Sequence, residues 1–199
     1  MKHASTRALF NYWNEQRGQR PAPERSDIDP GDIRHVLGDT FMLAADFADE
    51  IRFRLAGTRV CAVFTREIKG EAFNAMWNEQ SRKDIDDLLV ALTREDIGAV
   101  AGVIGRSEDG AQVELELLLL PLAHAGQART RALGALVPQV RPYWLGEQPV
   151  VELELRTLRH IGMQQSEMRG PRFGQVQRIR RGFLVYYGGR GEPSGNRAG

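Results

Sequence analysis

The chain has one cysteine, four histidines and almost no net charge, with 27 Lys and Arg against 26 Asp and Glu. Each shortage excludes something. A lone thiol, Cys61, cannot close an internal disulfide, which fits a reducing compartment. A balance of +1 gives no global attraction to nucleic acid or to an anionic membrane. No apolar run approaches the roughly 20 residues that a membrane-spanning helix needs, and the leucines at 117–120 read as a strand core. The first residues lack the charged-then-apolar layout of a signal peptide, because Asn11, Asn14 and Glu15 interrupt it. A cytoplasmic protein with no membrane partner is the expectation. Histidine, cysteine and carboxylates do not cluster at zinc spacing, and no glycine loop has the phosphate-cradling pattern.

What is present suffices for a folded core: hydrophobic residues make up 42% of 199. The stretch 51–70 organises the rest. Ile51, Phe53 and Leu55 alternate with Arg52 and Arg54, the period of a half-buried strand. Val60, Val63 and Phe64 then follow at helical spacing, and Gly70 stands where a positive φ closes the segment.

Upstream, Ser5 or Thr6 can cap a helix that presents Leu9, Tyr12, Trp13 and Gln16 along one side. Those aromatics either cover the sheet or form a contact between two copies. Gly18 and Pro23 stop that helix. Asp29, Pro30 and Asp32 suit a second helix start, with Ile33, Val36 and Leu37 as its apolar face. Capping explains these carboxylates more cheaply than a metal or an acid/base site does. A strand at 40–46 and a turn at Asp49-Glu50 lead into the stretch already described.

Downstream, Phe73, Met76 and Trp77 mark a short helix. Ser81 with Asp84 resembles a capping box, and Ile85, Leu88, Leu89 and Leu92 make the clearest amphipathic helix. Strands are expected at 97–107, 112–120 and 131–140, with a turn at Glu108-Asp109-Gly110 and a stop at Pro121. Residues 150–155 alternate again and can add a strand. Residues 162–177 are polar and irregular, so weak order is expected there. Phe183 to Tyr187 are apolar and aromatic enough to dock on a sheet edge, with the glycine-rich residues 188–199 mobile.

The spaced residues Phe53, Arg54, Leu55, Gly57, Thr58, Lys69, Gly70 and Phe73 resemble short stand-alone bacterial PAS-domain proteins. The resemblance implies an α/β (α+β) fold with a five-stranded antiparallel sheet and short helices on one face. To this are added an N-terminal helix and a C-terminal extension. It divides the chain into a helical flank at 1–38, a PAS-like domain at 39–141 and a partly disordered extension at 142–199. It also implies that the 81–94 helix forms one wall of a cavity. In the derived register Phe53, Leu55, Phe64, Trp77, Leu88, Leu92, Val103 and Leu117 would line that cavity and bind a small apolar ligand.

No cofactor is specified. Flavin-binding PAS domains carry a reactive cysteine in an Asn-Cys-Arg-Phe motif, whereas Cys61 here sits in Arg59-Val60-Cys61-Ala62-Val63 and reads as an inert core thiol. Haem needs an axial ligand, and the 81–94 helix holds no histidine. His35, His124 and His160 lie elsewhere. Glu114 and Glu116 share a strand face and read as its solvated side. No enzyme is expected.

The implied role is sensory or regulatory, by ligand or protein binding, with output through protein–protein contact to a signalling partner and a homodimer through Leu9, Tyr12 and Trp13. One alternative is a ligand-free interaction scaffold. Another is a nucleic-acid-associated regulator that uses Arg172, Arg178, Arg180, Arg181 and Arg190 with interleaved Phe183, Tyr186 and Tyr187. The near-zero charge and the weakness of short basic runs as motifs disfavour this last.

Overall fold

The computed structural model describes residues 1–45, 50–123, 131–161, 178–180 and 183–186, the last two segments for their backbone alone. The described helices are α1 (Ala4–Arg17), α2 (Thr58–Phe64) and α3 (Glu79–Arg94). The strands are β1 (Thr40–Ala45), β2 (Ile51–Ala56), β3 (Gly98–Ser107), β4 (Gln112–Leu122), β5 (Arg131–Pro138), β6 (Val150–Ile161), β7 (Arg178–Arg180) and β8 (Phe183–Tyr186). They form one antiparallel sheet in the order β2-β1-β5-β4-β3-β6-β8-β7.

The alternation read from the sequence places Val113, Leu115, Leu117 and Leu119 of β4 on one face, with Phe41, Leu43, Phe53, Ala99, Ala101 and Val103 from its neighbours. We call this the inner face. It is covered by α2 through Val60, Val63 and Phe64, by α3 through Ile85, Leu88, Leu89 and Leu92, and by the chain between them. The sequence-based picture left the opposite face to solvent, but the structure covers it. Leu9 and Trp13 of α1, with Ala22, Ile28, Ile33 and Val36, bury Met42, Val100, Leu118, Leu120, Leu133 and Ala135. Strands β1, β4 and β5 are apolar on both faces for that reason.

Four local expectations need correction. Residues 30–36 make successive turns rather than a helix. The Asp29 carboxylate accepts from the Gly31 N–H at 2.7 Å, and the bonds from Asp32 to Asp29 and from Val36 to Ile33 are three residues long. Helix α3 begins at Glu79, not Ser81, because Asn78 Oδ1 caps it by accepting from the Ser81 N–H at 2.9 Å. Pro121 does not end β4. It lies past Leu119, the last residue paired with β3, so its missing N–H leaves no ladder bond unmade there. Finally, the strand anticipated over 150–155 is longer than its alternation indicated. Strand β6 runs to Ile161 and pairs with β3 along its length, and Trp144, Leu145, Val150 and Leu153 belong to the inner core, so the sheet exceeds five strands. Gly70 and Gly110 take the positive φ anticipated for them, at 87° and 85°.

Residues 70–81 form a strap from one side of the sheet to the other. At its start Gly70 and Phe73 donate their N–H groups to the carbonyls of Phe53 and Ile51, and Phe53 donates to Glu71, which covers the free edge of β2. At its end Asn78 donates to the carbonyl of Leu153, and the Leu155 N–H donates to Ser81 Oγ at 2.9 Å, so the strap also meets β6. Between these anchors lies a single 3-10 turn, Asn74–Met76.

Candidate functional site: the aromatic core beneath the strap

The strap carries two aromatic side chains inward. Phe73 packs on Phe41 and Phe53 with ring centroids 6.1 and 5.6 Å apart, and Trp77 meets Phe73 edge-on at 5.8 Å. Phe41 and Phe53 close the group at 5.4 Å. Of the eight residues expected to line an interior, the structure brings together Phe53, Phe64, Trp77, Leu88, Leu92, Val103 and Leu117, all buried in this one cluster.

Leu55 does not join them. It is 53% exposed. In the β1–β2 ladder Leu43 faces Phe53 while Met42 faces Leu55, so Arg54 is an extra residue, a β-bulge. A bulge reverses the side-chain alternation beyond it. Leu55 therefore turns to the outer face with Met42, and Ala56 takes the inner position. Phe41, Phe73 and Met76 are inner-core residues that the eight omitted; Phe73 and Met76 were legible as apolar positions of the strap.

The polar atoms of this interior are few. Trp77 is 1% exposed, and its indole N–H is buried without a hydrogen-bond partner. Asn74 Oδ1, on the same strap, is likewise buried and unpartnered, while its amide nitrogen donates to Asp86 Oδ1 at 2.6 Å. Cys61 lies half-buried on α2 with its Sγ 3.6 Å from Glu67 Oε1, and burial pushes the thiol up, away from the reactive thiolate. His160 is on β6, where burial lowers its pKa and favours the neutral ring. His35 contributes its carbonyl oxygen to Arg59, and His124 falls outside the described residues. Among the described residues no group of His, Cys, Asp and Glu could hold a metal ion, and no helix is long and apolar enough to cross a membrane.

Two buried carboxylates hold the outer helix, one to the sheet and one to α2, and neither was legible as such. Glu116, read as solvated, is 4% exposed. It accepts from the N–H groups of Lys2 at 2.6 Å and His3 at 3.0 Å and from Thr6 Oγ1 at 2.5 Å. Burial alone would raise its pKa, but the bonds from Thr6, Lys2 and His3 overcome that and hold it below the usual range. Asp39 accepts from Arg59 Nε at 2.5 Å and Nη2 at 3.0 Å, and from Ser5 Oγ at 2.7 Å. It too stays below the usual range, because Arg59 and Ser5 outweigh its burial. Arg59 is on α2 and Ser5 on α1, so one carboxylate joins a helix of the inner face to the helix of the outer face.

The N-terminal aromatics serve this same packing. Trp13 donates its indole N–H to the carbonyl of Pro121 at 2.8 Å, and Leu9 is fully buried. Both are buried by the chain's own sheet, the first of the two roles weighed for these apolar positions. In the C-terminal region the backbone of β8 pairs with β6, Leu158 opposite Tyr186 and Ile161 opposite Phe183, and β7 pairs with β8. Arg172, Arg181, Tyr187 and Arg190 lie outside the described residues, as do 162–177 and 188–199.

A strand pair, a helical interlude under a strap and three further strands, in the spatial order β2-β1-β5-β4-β3, define a mixed α/β fold on one antiparallel sheet. The family model described as the PAS domain matches residues 1–137, more than half of the chain, and the protein belongs to that family. Its role is accordingly sensory or regulatory. Similar solved structures include a light-oxygen-voltage domain studied with a flavin analogue, at 9% identity and a TM-score of 0.40, covering 52% of this chain and 80% of that one. A PAS domain from Colwellia psychrerythraea is 14% identical with a TM-score of 0.40, covering 55% and 97%. A variant of the protein RsLOV is 15% identical, also at 0.40, covering 57% and 69%. No curated protein matches the chain.

Proposed function

We propose that the aromatic core beneath the strap opens to receive a small, largely apolar ligand, and that its occupancy is passed to a partner protein by contact. The observation that carries the ligand is the Trp77 indole N–H, a donor buried among aromatic rings with nothing to donate to. Such a group costs about 1–3 kcal/mol relative to one that is hydrogen-bonded, and a ligand supplying an acceptor recovers that. Output follows the only polar link described from α2 to α1, Arg59 to Asp39 to Ser5. A shift of α2 around a ligand moves Arg59 and so loosens or tightens the start of α1. The chain acts without catalysis in this reading, and its partners are a second copy or a separate signalling protein.

A packed scaffold with no ligand is the second reading. It is supported by the direct contacts among the rings of Phe41, Phe53, Phe73 and Trp77. Native mass spectrometry of the purified protein separates the two, because bound small molecules and subunit number are read together. A retained small molecule supports the sensor. A bare mass after isolation from several growth conditions favours the scaffold.

A further inference from the structure

The outer face of the sheet holds a concavity that α1 leaves uncovered. It is a trough of about 250 Å³ over β3, bordered by β4 and β6. Its floor is Gly102 between Val100 and Ile104, and the absent side chain makes the depression: a Cβ at Gly102 would stand 2.7 Å from Thr157 Oγ1. In the β3–β6 ladder Gly102 faces Thr157 and Val103 faces Leu155, so Arg156 is an extra residue. That bulge brings Arg156 and Thr157, successive residues, to the same trough. The Thr157 hydroxyl accepts from the Gly102 N–H at 3.1 Å, which leaves its own proton to donate.

Five charged residues line the trough, and their partners decide its character. Glu116 is filled by the donors of Lys2, His3 and Thr6. Arg156 pairs with Glu154 at 2.6 Å, and Glu154 also takes Arg106. Among the described residues Lys2, Arg159 and Glu114 stand in no ion pair. Position separates these three. Glu116, Gly102 and Thr157 make one row across the ladders, two strand spacings or about 10 Å from end to end. Lys2 is held at the Glu116 end of that row and Arg159 stands two residues beyond Thr157, so both cations line the trough from opposite walls. Arg159 is paired with Val100 and Glu114 with Ile104, four residues or about 13 Å apart along β3. One end of the trough is cationic and the other anionic.

We propose that this trough binds a small organic monoanion, a carboxylate on a short apolar chain. The carboxylate sits between Lys2 and Arg159 and accepts from the Thr157 hydroxyl, and the chain lies on Gly102 and Ile104. Charge-assisted hydrogen bonds are roughly twice as strong as neutral ones, which sets an acid above its amide. A second carboxylate at the far end meets Glu114, so a dicarboxylate is disfavoured. The volume is below the roughly 300–1,000 Å³ of pockets for drug-sized ligands, which keeps the occupant to a few carbons. The trough lies on the face of the sheet opposite the aromatic core, so it neither needs nor excludes a ligand beneath the strap.

The probes are pentanoate, pentanamide and glutarate, molecules of one chain length. Each is titrated into the full chain at constant ionic strength while the backbone amide resonances of Gly102 and Thr157 are followed. The expected result is saturable binding of pentanoate, about tenfold tighter than pentanamide, with glutarate weaker than pentanoate. Arg159→Gln removes the charge and should bring pentanoate down to the affinity of its amide. Lys2→Gln, which leaves the backbone N–H on Glu116, repeats the test at the other wall. Glu114→Gln, at an exposed position, should close the gap between glutarate and pentanoate. Equal binding of pentanoate and pentanamide would overturn the proposal, as would a pentanoate affinity untouched by Arg159→Gln and Lys2→Gln. Shifts that never saturate, and that chloride reproduces, mean screening of the surface only and overturn it too. If pentanoate moves the Leu88 and Leu92 methyl resonances but not Gly102, the acid enters the aromatic core instead, which sinks the trough and supports the interior reading.

Discussion

Glu116→Gln tests whether the outer helix is held by charge. The substitution keeps the size of the side chain and removes its charge. In the native protein two carboxylate oxygens serve three donors, the N–H groups of Lys2 and His3 and the hydroxyl of Thr6. A carboxamide offers one oxygen, and its nitrogen faces donors with a donor. Hydrogen bonds to a charged group contribute about 1.5–3 kcal/mol each, against about 1 kcal/mol for neutral ones. Lys2 is exposed, so its N–H can turn to water; Thr6 is fully buried, and its hydroxyl keeps only the neutral His3 carbonyl, at 2.9 Å, in place of the carboxylate. The expected loss is therefore about 2–4 kcal/mol. Urea unfolding at pH 7 followed by the fluorescence of the three tryptophans measures it, with an unchanged m-value showing that the comparison is of stability alone.

The pH dependence gives a second reading of the same site. Glu116 has a native pKa below its ordinary value of 4.5, so its contribution is complete above 4.5 and is lost as pH falls below that toward the native pKa. Glu116→Gln should flatten that acid-side slope, leaving the part due to Asp39, which is depressed in the same sense. A loss below about 0.5 kcal/mol at pH 7, the size of an ordinary surface substitution, would refute the reasoning.

Further outcomes follow from the bulge, the shared carboxylate and the docked helix. Phe53→Ala should cost about 3–5 kcal/mol, while Leu55→Ser, two residues on, should stay within about 0.5 kcal/mol; thermal or urea unfolding of both places the bulge at Arg54 or removes it. Asp39→Asn should weaken the grip on both Arg59 and Ser5 and lower stability by about 1–3 kcal/mol, with faster amide hydrogen exchange in α1; unchanged exchange there would break the link from α2 to α1. Trp13→Ala should destabilise by about 3–5 kcal/mol and leave the subunit number seen in sedimentation unchanged, whereas dissociation of an oligomer would put this side chain in an interface instead.

The strands and α3 were legible because their period is local. Val113, Leu115, Leu117 and Leu119 announce a face by alternation alone, and Ile85, Leu88, Leu89 and Leu92 do so at helical spacing. Seven of the eight inward positions followed from that register, and Leu55 failed because one inserted residue, Arg54, changes which side is which without changing the pattern of letters. Glu116 failed for a different reason. Its partners lie at Lys2, His3 and Thr6, more than a hundred residues away, and the alternation that places it outward is correct. What sequence reading could not supply is the second layer that covers the outward side. One clue was available: Thr6 lies in the same stripe as Leu9 and Trp13, and a hydroxyl in an apolar stripe must find an acceptor. The 29–37 region misled because its capping residues suit turns as well as helices, and Asp29 is used there to close an Asx-turn.

The strap also constrains the curvature of the sheet from β2 to β6. Six strands laid flat at about 4.8 Å spacing would put β2 and β6 about 24 Å apart. Phe73, bonded to β2, and Trp77, bridged to Leu153 of β6, are separated by four residue steps, which reach about 14 Å at full extension. Because the 3-10 turn between them is shorter still, the sheet has to roll its two sides toward each other like a stave-built cask, with the strap as the hoop. The volume enclosed is then governed by the length of that hoop. Lengthening Asn74–Met76 by a residue would open the cask, and drawing Trp77 inward would tighten it, so one short turn is the dimension through which this fold can trade a filled interior for a hollow one.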